Sequence, residues 1–263
     1  MTHPSRHDVL GSTVTMPVEI RRARCFVAGF TADARAMQTA IDAAGDTRGA
    51  LAPLRIRRGR GMCMLVFVDY IDGDLGPYNE FGVCFLVDPT TTDDAPGDSR
   101  PGDSRAGGSW SGLRSLFAGD ARALIHRLPV DGEFTLAAGR GIWGFPKILA
   151  DFDVDHESTT RHGRVSVDGR LIADLTVKPG MPMPASSVET TLHAYSQLDG
   201  TLRMTPWRLR SITGTRTRLG GARLHLGDHE IADELRSLGL SRHALMTTSV
   251  RSLAMTFDDA EVV

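Results

Sequence analysis

The feature that most limits the fold of this chain is a recurring unit of strand length: apolar runs closed by glycine-containing turns. Residues 62–70 form an almost unbroken apolar run and residues 81–87 a second, with Asp72-Gly73 and Gly76-Pro77 marking turns between them. Val165 and Val167 lead into Asp168-Gly169, a two-residue hairpin signal, and Leu171, Ala173, Leu175 and Val177 follow at period two. Phe134, Leu136 and Ala138 alternate, and Phe152 and Val154 alternate with Asp151, Asp153 and Asp155. Further strands are expected over 18–30, 202–212, 215–219 and 222–226. Helices are fewer. Ala34, Met37, Ile41 and Ala44 recur at helical spacing after Thr31, an N-cap residue type, and stop at Gly45; shorter helices are expected over 121–126 and 229–238. Many strands, short turns and no strand-helix alternation predict a mainly β (α+β) fold with a closed or nearly closed antiparallel barrel, which hides its strand edges.

The chain is long enough, and at 41% hydrophobic residues apolar enough, to bury a substantial core. A flexible leader is expected over 1–17 and one domain over 18–263, carrying a loop insertion at 88–112. That insertion holds a tandem repeat, Pro96-Gly97-Asp98-Ser99-Arg100 and Pro101-Gly102-Asp103-Ser104-Arg105, whose composition buries too little apolar surface to offset ordering entropy. A formal net charge of −2 leaves no global pull toward nucleic acid or anionic lipid. No run reaches the ~18 apolar residues of a membrane helix, and the amino terminus lacks a signal-peptide core. Nucleic-acid and membrane partners are therefore not expected, and a cytoplasmic protein is. Cys25, Cys63 and Cys84 make an odd count without metal-ligand spacing and read as buried, reduced thiols.

Among 30 lysines and arginines, only Lys147 and Lys178 are lysine. A position that keeps lysine against such a bias is a candidate for needing an amine, because guanidinium stays protonated and is no nucleophile. Lys147 follows a glycine-rich stretch, with Trp143, Phe145, Pro146, Ile148 and Leu149 around it. Gly139, Gly141 and Gly144 match the G-x-G-x-x-G dinucleotide pattern, but that pattern needs a helix to open at the glycines, and Pro146 and the β alternation beyond it predict none. A free lysine of pKa ~10.4 is neutral in about one molecule in 2,500 at pH 7, whereas attack on a ketone needs the neutral amine. Burial lowers a lysine pKa by up to ~3–5 units, so this apolar setting suits a nucleophilic amine.

Two motifs in order resemble the acetoacetate decarboxylase family. They are Gly76-Pro77-Tyr78-Asn79-Glu80, and Gly139-Arg140 followed by Phe145-Pro146-Lys147-Ile148-Leu149, at the family's separation once the loop insertion is allowed for. Residues 222–235 also resemble the family's ending, so the likeness covers most of the chain from Val18 onward. The resemblance implies a cone-shaped antiparallel β-barrel with a few peripheral helices, assembled into homo-oligomers, with a deep pocket for a small keto acid and no metal or organic cofactor. It assigns the Schiff-base role to Lys147, the pocket carboxylate to Glu80 and an orienting arginine to Arg140. Acetoacetate decarboxylase is itself an established instance of a lysine activated by its surroundings. Tyr78, Trp143, Phe145 and Ile148 are candidates to line the pocket.

This chain departs from the family pattern at several positions. Ile148 stands for the family's second lysine, Gly141 for a glutamate and Leu65 for a further carboxylate, while Arg21, Arg22 and Arg24 offer no clear match to its amino-terminal arginine. Two like charges ~4 Å apart at an effective dielectric near 20 repel by ~4 kcal/mol, so losing the second lysine removes a depression of ~3 pKa units that burial has to replace. The leading expectation is a cofactor-independent lyase that decarboxylates a small β-keto acid through Lys147. A Schiff-base aldolase, dehydratase or cyclase on a keto acid in secondary metabolism, and a barrel that binds a small ligand without turnover, stay open beside it. His225 and His229 have metal-like spacing, but Gly227 breaks the helical face they need. Met181 and Met183 sit among prolines in a stiff apolar connector.

Overall fold

The structure is a computed structural model that describes residues 4–45, 49–89, 122–184 and 189–263. The tandem repeat, and the expected insertion beyond Pro89, lie outside the described residues.

In chain order, a hairpin of β1 (Arg6–Val9) and β2 (Ser12–Thr15) precedes the long strand β3 (Val18–Asp33), which runs into helix α1 (Ala34–Ala43). Strand β4 (Leu51–Pro53) is followed by β5 (Arg60–Gly73), β6 (Tyr78–Pro89) and β7 (Arg122–Val130), then helix α2 (Glu133–Trp143). Next come β8 (Lys147–Leu149), β9 (Asp151–Asp155), β10 (Arg161–Val167), β11 (Arg170–Val177) and β12 (Met181–Pro182). Strands β13 (Thr190–Leu198), β14 (Thr201–Thr213), β15 (Arg216–Leu219) and β16 (Ala222–Leu226) precede helix α3 (Glu230–Ser237), β17 (Met246–Phe257) and β18 (Glu261–Val262).

Seven strands close into a barrel in the order β17-β3-β5-β6-β7-β13-β14, and pairing of β14 with β17 completes the ring. Every pair in it is antiparallel except β7 with β13, a departure from the all-antiparallel expectation. Register shifts at Ile20/Arg22, Val83/Cys84 and Leu209/Ser211 place bulges along the wall, which bend strands and let a sheet close.

Period two then divides each wall strand between two cores. On β5, Leu65 and Phe67 join Phe26, Phe81 and Phe85 in an outer core. That core is covered by β10 and β11 of a second, four-stranded sheet (β16-β11-β10-β9) and by α1 and α3 through Met37, Ile41, Ile231 and Leu235. The alternate residues Val66, Val68 and Tyr70 face the barrel lumen. The β10-β11 turn takes the expected form, with Asp168 and Gly169 both left-handed at φ 49° and 74°.

Four local expectations are corrected. Phe134, Leu136 and Ala138 lie on helix α2, whose buried face is Thr135, Ala138, Gly139, Ile142 and Trp143, a helical spacing that the apolar alternation concealed. Residues 122–126 belong to strand β7, which is buried on both faces and so carries no alternation to read. Residues 6–15, expected within a flexible leader, form a hairpin that buries Val9 and Val14. The cap of α1 is Asp33, whose carboxylate accepts from the Arg35 and Ala36 amides, and not Thr31. Among the described residues, no helix is long and apolar enough to cross a membrane, and no group of three His, Cys, Asp or Glu is placed to hold a metal ion. His229 caps α3, its Nδ1 accepting from the Ile231 amide, while His225 lies on β16.

One buried histidine makes this fold acid-sensitive. His156 packs on Phe26 with ring centroids 5.1 Å apart, its Nε2 has no hydrogen-bond partner among the described residues, and burial, aided by the Arg24 charge, lowers its pKa to about 4. The unfolded chain takes up this proton below pH ~6.5 and the folded chain only below about 4, so stability is lost as pH falls through that window. Replacing His156→Phe is expected to shrink the loss between pH 7 and pH 5 by about 2 kcal/mol, measured by urea denaturation at both values.

Candidate active site

Lys147 is held by the end of α2 and the start of β8. The helix stops at Trp143 because Gly144 turns left-handed, at φ 64°, and Phe145 then returns its amide to the Gly139 carbonyl at 2.9 Å. Lys147 pairs with Leu128 on β7, so its side chain runs back beneath the helix. A Cβ on Gly139 would lie 2.5 Å from Lys147 Cδ and 2.6 Å from Cε, so only glycine leaves the lysine its path. The glycines of this stretch thus end a helix and admit a side chain. The Ser196 hydroxyl, which donates to the Trp143 carbonyl at 2.6 Å, and Arg140, which donates to the Lys147 carbonyl at 3.2 Å, fix the turn.

The Lys147 side chain is 3% exposed. Its Nζ lies 3.0 Å from Glu80 Oε2, donates to Thr135 Oγ1 at 2.9 Å and stands 5.0 Å from the Tyr78 ring centroid. The other carboxylate oxygen, Glu80 Oε1, accepts from the Tyr70 hydroxyl at 3.0 Å. Tyr70 and Tyr78 stack at 4.2 Å between centroids, and the Tyr78 hydroxyl hydrogen-bonds with Thr135 and Tyr70. Burial, reinforced by the Glu80 charge, pushes both phenols well above their ordinary range, so they stay neutral donors. One cation, one anion and three hydroxyls therefore form a single closed network, the condition under which a buried ion pair is tolerated.

Glu80 connects this network to a cavity of about 230 Å³ that fills the barrel lumen and is lined from all seven wall strands. Apart from Glu80 and Tyr70, its wall is mostly aliphatic, including Val66, Val68, Ile125, Leu192 and Leu253. Cys25 and Cys84 also face it as free thiols, pushed up to about 12 by burial. The lumen wall includes Glu80 but not Lys147, so the carboxylate spans from cavity to amine.

Of the residues singled out in the sequence, Lys147, Glu80 and Tyr78 come together. Arg140 does not join them: its side chain is exposed and bonds backbone. Trp143 and Phe145 stack 5.8 Å apart beneath the site, with Trp143 Nε1 donating to the Asp258 carbonyl at 2.8 Å. Ile148 packs against the outer core, and Leu65 points into that core, so neither faces the amine. Tyr70 and Thr135 were not singled out. Tyr70 was readable from the hairpin, which sets it opposite Tyr78, whereas Thr135 depends on how α2 packs.

The family model for acetoacetate decarboxylase (ADC) matches residues 12–263. The chain belongs to this family. A crystal structure of acetoacetate decarboxylase from Legionella pneumophila superposes with a TM-score of 0.64 at 18% identity, covering 94% of this chain and 87% of that one. The enduracididine biosynthesis enzyme MppR, complexed with the condensation product of pyruvate and imidazole 4-carboxaldehyde, gives 0.59 at 12% identity, covering 94% and 88%. An acetoacetate decarboxylase-like enzyme from Sphingomonas wittichii RW1 gives 0.55 at 11% identity, covering 92% and 91%. A search of curated protein sequences finds no match. The family is thus carried by the sequence and the barrel by the structures, on a chain with one lysine inside its fold and the other, Lys178, exposed.

Removing one partner of a buried pair leaves the other charge uncompensated. Glu80→Leu is expected to cost about 3–5 kcal/mol, and the double variant Glu80→Leu with Lys147→Met to regain most of it. Urea denaturation at pH 7 checks this as a double-mutant cycle.

Proposed function

We propose that this protein is a cofactor-independent Schiff-base lyase that decarboxylates a β-keto acid through an iminium on Lys147. The observation that carries the reading is the buried amine with Glu80 at 3.0 Å and Thr135 at 2.9 Å, at the edge of a largely apolar cavity. Glu80 takes one proton from the Lys147 ammonium, the neutral amine adds to the keto carbonyl, and a second proton passes from nitrogen to the new oxygen to give the carbinolamine. Glu80 then returns the proton to the carbinolamine hydroxyl, which leaves as water to give the iminium. The bond between the α-carbon and the carboxylate breaks, carbon dioxide departs, and the iminium takes up the electron pair as an enamine. Protonation at carbon and hydrolysis by water release the ketone and free Lys147. One β-keto acid anion and one proton become one ketone and one carbon dioxide.

The surroundings suit that sequence of charges. Tyr70 holds the far oxygen of Glu80, leaving Oε2 for proton transfer. Thr135 fixes the amine's direction. Loss of the carboxylate as a neutral molecule is favoured against aliphatic walls, where a carboxylate is poorly solvated.

A second reading uses the same amine for aldol-type condensation or dehydration of a keto acid. It is favoured by Arg140 lying outside the lumen, whose wall then offers a leaving carboxylate no cation among the described residues. Borohydride reduction with acetoacetate or pyruvate, followed by mass mapping, separates the two. An adduct on Lys147 with carbon dioxide release supports decarboxylation, and an adduct without release supports the second reading. Lys147→Arg, which keeps the charge but cannot form an imine, is expected to abolish both adduct and turnover. Turnover that survives this replacement overturns the proposal.

A further inference from the structure

We infer that the substrate is a β-keto acid with a hydrocarbon tail, seated so that the tail fills the barrel lumen. The head of this substrate rests on the Schiff-base reading; the tail rests on the lumen alone.

Every charged or hydroxyl-bearing group of the site lies at one end. Among the described residues, Glu80 is the only charged side chain on the lumen wall and Tyr70 the only hydroxyl, and the Tyr70 hydroxyl is already given to Glu80. The remaining heteroatoms on the wall, in Cys25, Cys84, Trp207 and Met255, belong to uncharged side chains. A second carboxylate placed there would leave water, find no cation and face the like charge of Glu80. A hydrocarbon meets Val66, Val68, Leu209, Ile212 and Val250 at no such cost.

Size agrees with chemistry. At ~30 Å³ for each water-sized group, a lumen of about 230 Å³ holds roughly seven such groups. Acetoacetate carries a single methyl beyond its ketone and leaves most of that space without contacts, whereas a tail of about seven carbons fills it. The product is then an alkyl methyl ketone.

The test uses two homologous series on the wild-type protein. Straight-chain 2-alkanols, which cannot form an imine, are titrated by calorimetry, and the matching 2-alkanones are trapped on Lys147 with borohydride and quantified by mass. Expected is a Kd that falls about fourfold per added methylene until the lumen is full, then levels or rises, with half-saturation of ketone trapping following the same order. Carbon dioxide release from 3-oxo acids should rank by tail length in the same way. A Kd that does not change with chain length, or tightest binding by the shortest members, overturns the inference. Alkanols that show the trend while no ketone is trapped support the tail site and overturn the Schiff-base reading. Val250→Phe, which narrows the lumen, is expected to move the optimum to shorter tails; an unmoved optimum counts against the lumen as the tail site.

Discussion

An ammonium and a carboxylate withdrawn from water together set the terms for the rest of this barrel. Lys147 and Glu80 are each within a few percent of full burial, and neither has bulk solvent to fall back on. Desolvating two charges costs several kcal/mol each, so the pair persists only if its remaining donors and acceptors are met. Thr135 meets the amine and Tyr70 the carboxylate, and these partners come from a helix and a neighbouring strand. The site is therefore a property of how α2 lies on the wall, and Gly139 is the position that lets it lie there.

The wall strands separate this polar cluster from the fold's main apolar reserve. Phenylalanines 26, 67, 81 and 85 all turn outward, into the core beneath the second sheet and the helices. The lumen is left with mostly aliphatic side chains, joined by Tyr70 and Trp207, and an unfilled volume. Stability and binding are thus drawn from opposite faces of the same strands, so a wall residue changed on its lumen face need not disturb the aromatic packing behind it.

Much of this was legible in the sequence, for physical reasons. Strand runs such as 62–70 and the Asp168-Gly169 hairpin declare themselves through period and turn chemistry. Glu80 and Lys147 stood out through their motifs, and Lys147 also through the scarcity of lysine. What failed was geometry that only packing decides. Alternating Phe134, Leu136 and Ala138 mimic a strand, and the residue that betrays the helix is Thr135, a polar side chain buried because an amine needs it. Leu65 and Ile148, matched to charged family positions by counting along the chain, face away from the site because side-chain direction alternates with every residue. Arg140, read as a substrate clamp, secures the backbone of the lysine instead.

Ring closure has a further effect on when this protein can work. Val250, Leu253 and Met255 belong to β17, the staff that joins β14 to β3. During synthesis Lys147 and Glu80 emerge long before that strand, yet the chamber beside them has an open side until it docks. Until then the catalytic pair stands beside a wall that is still incomplete. The lumen gains its last wall only when β17 pairs with β14 and β3 together, so a complete pocket is itself a sign that the ring has closed.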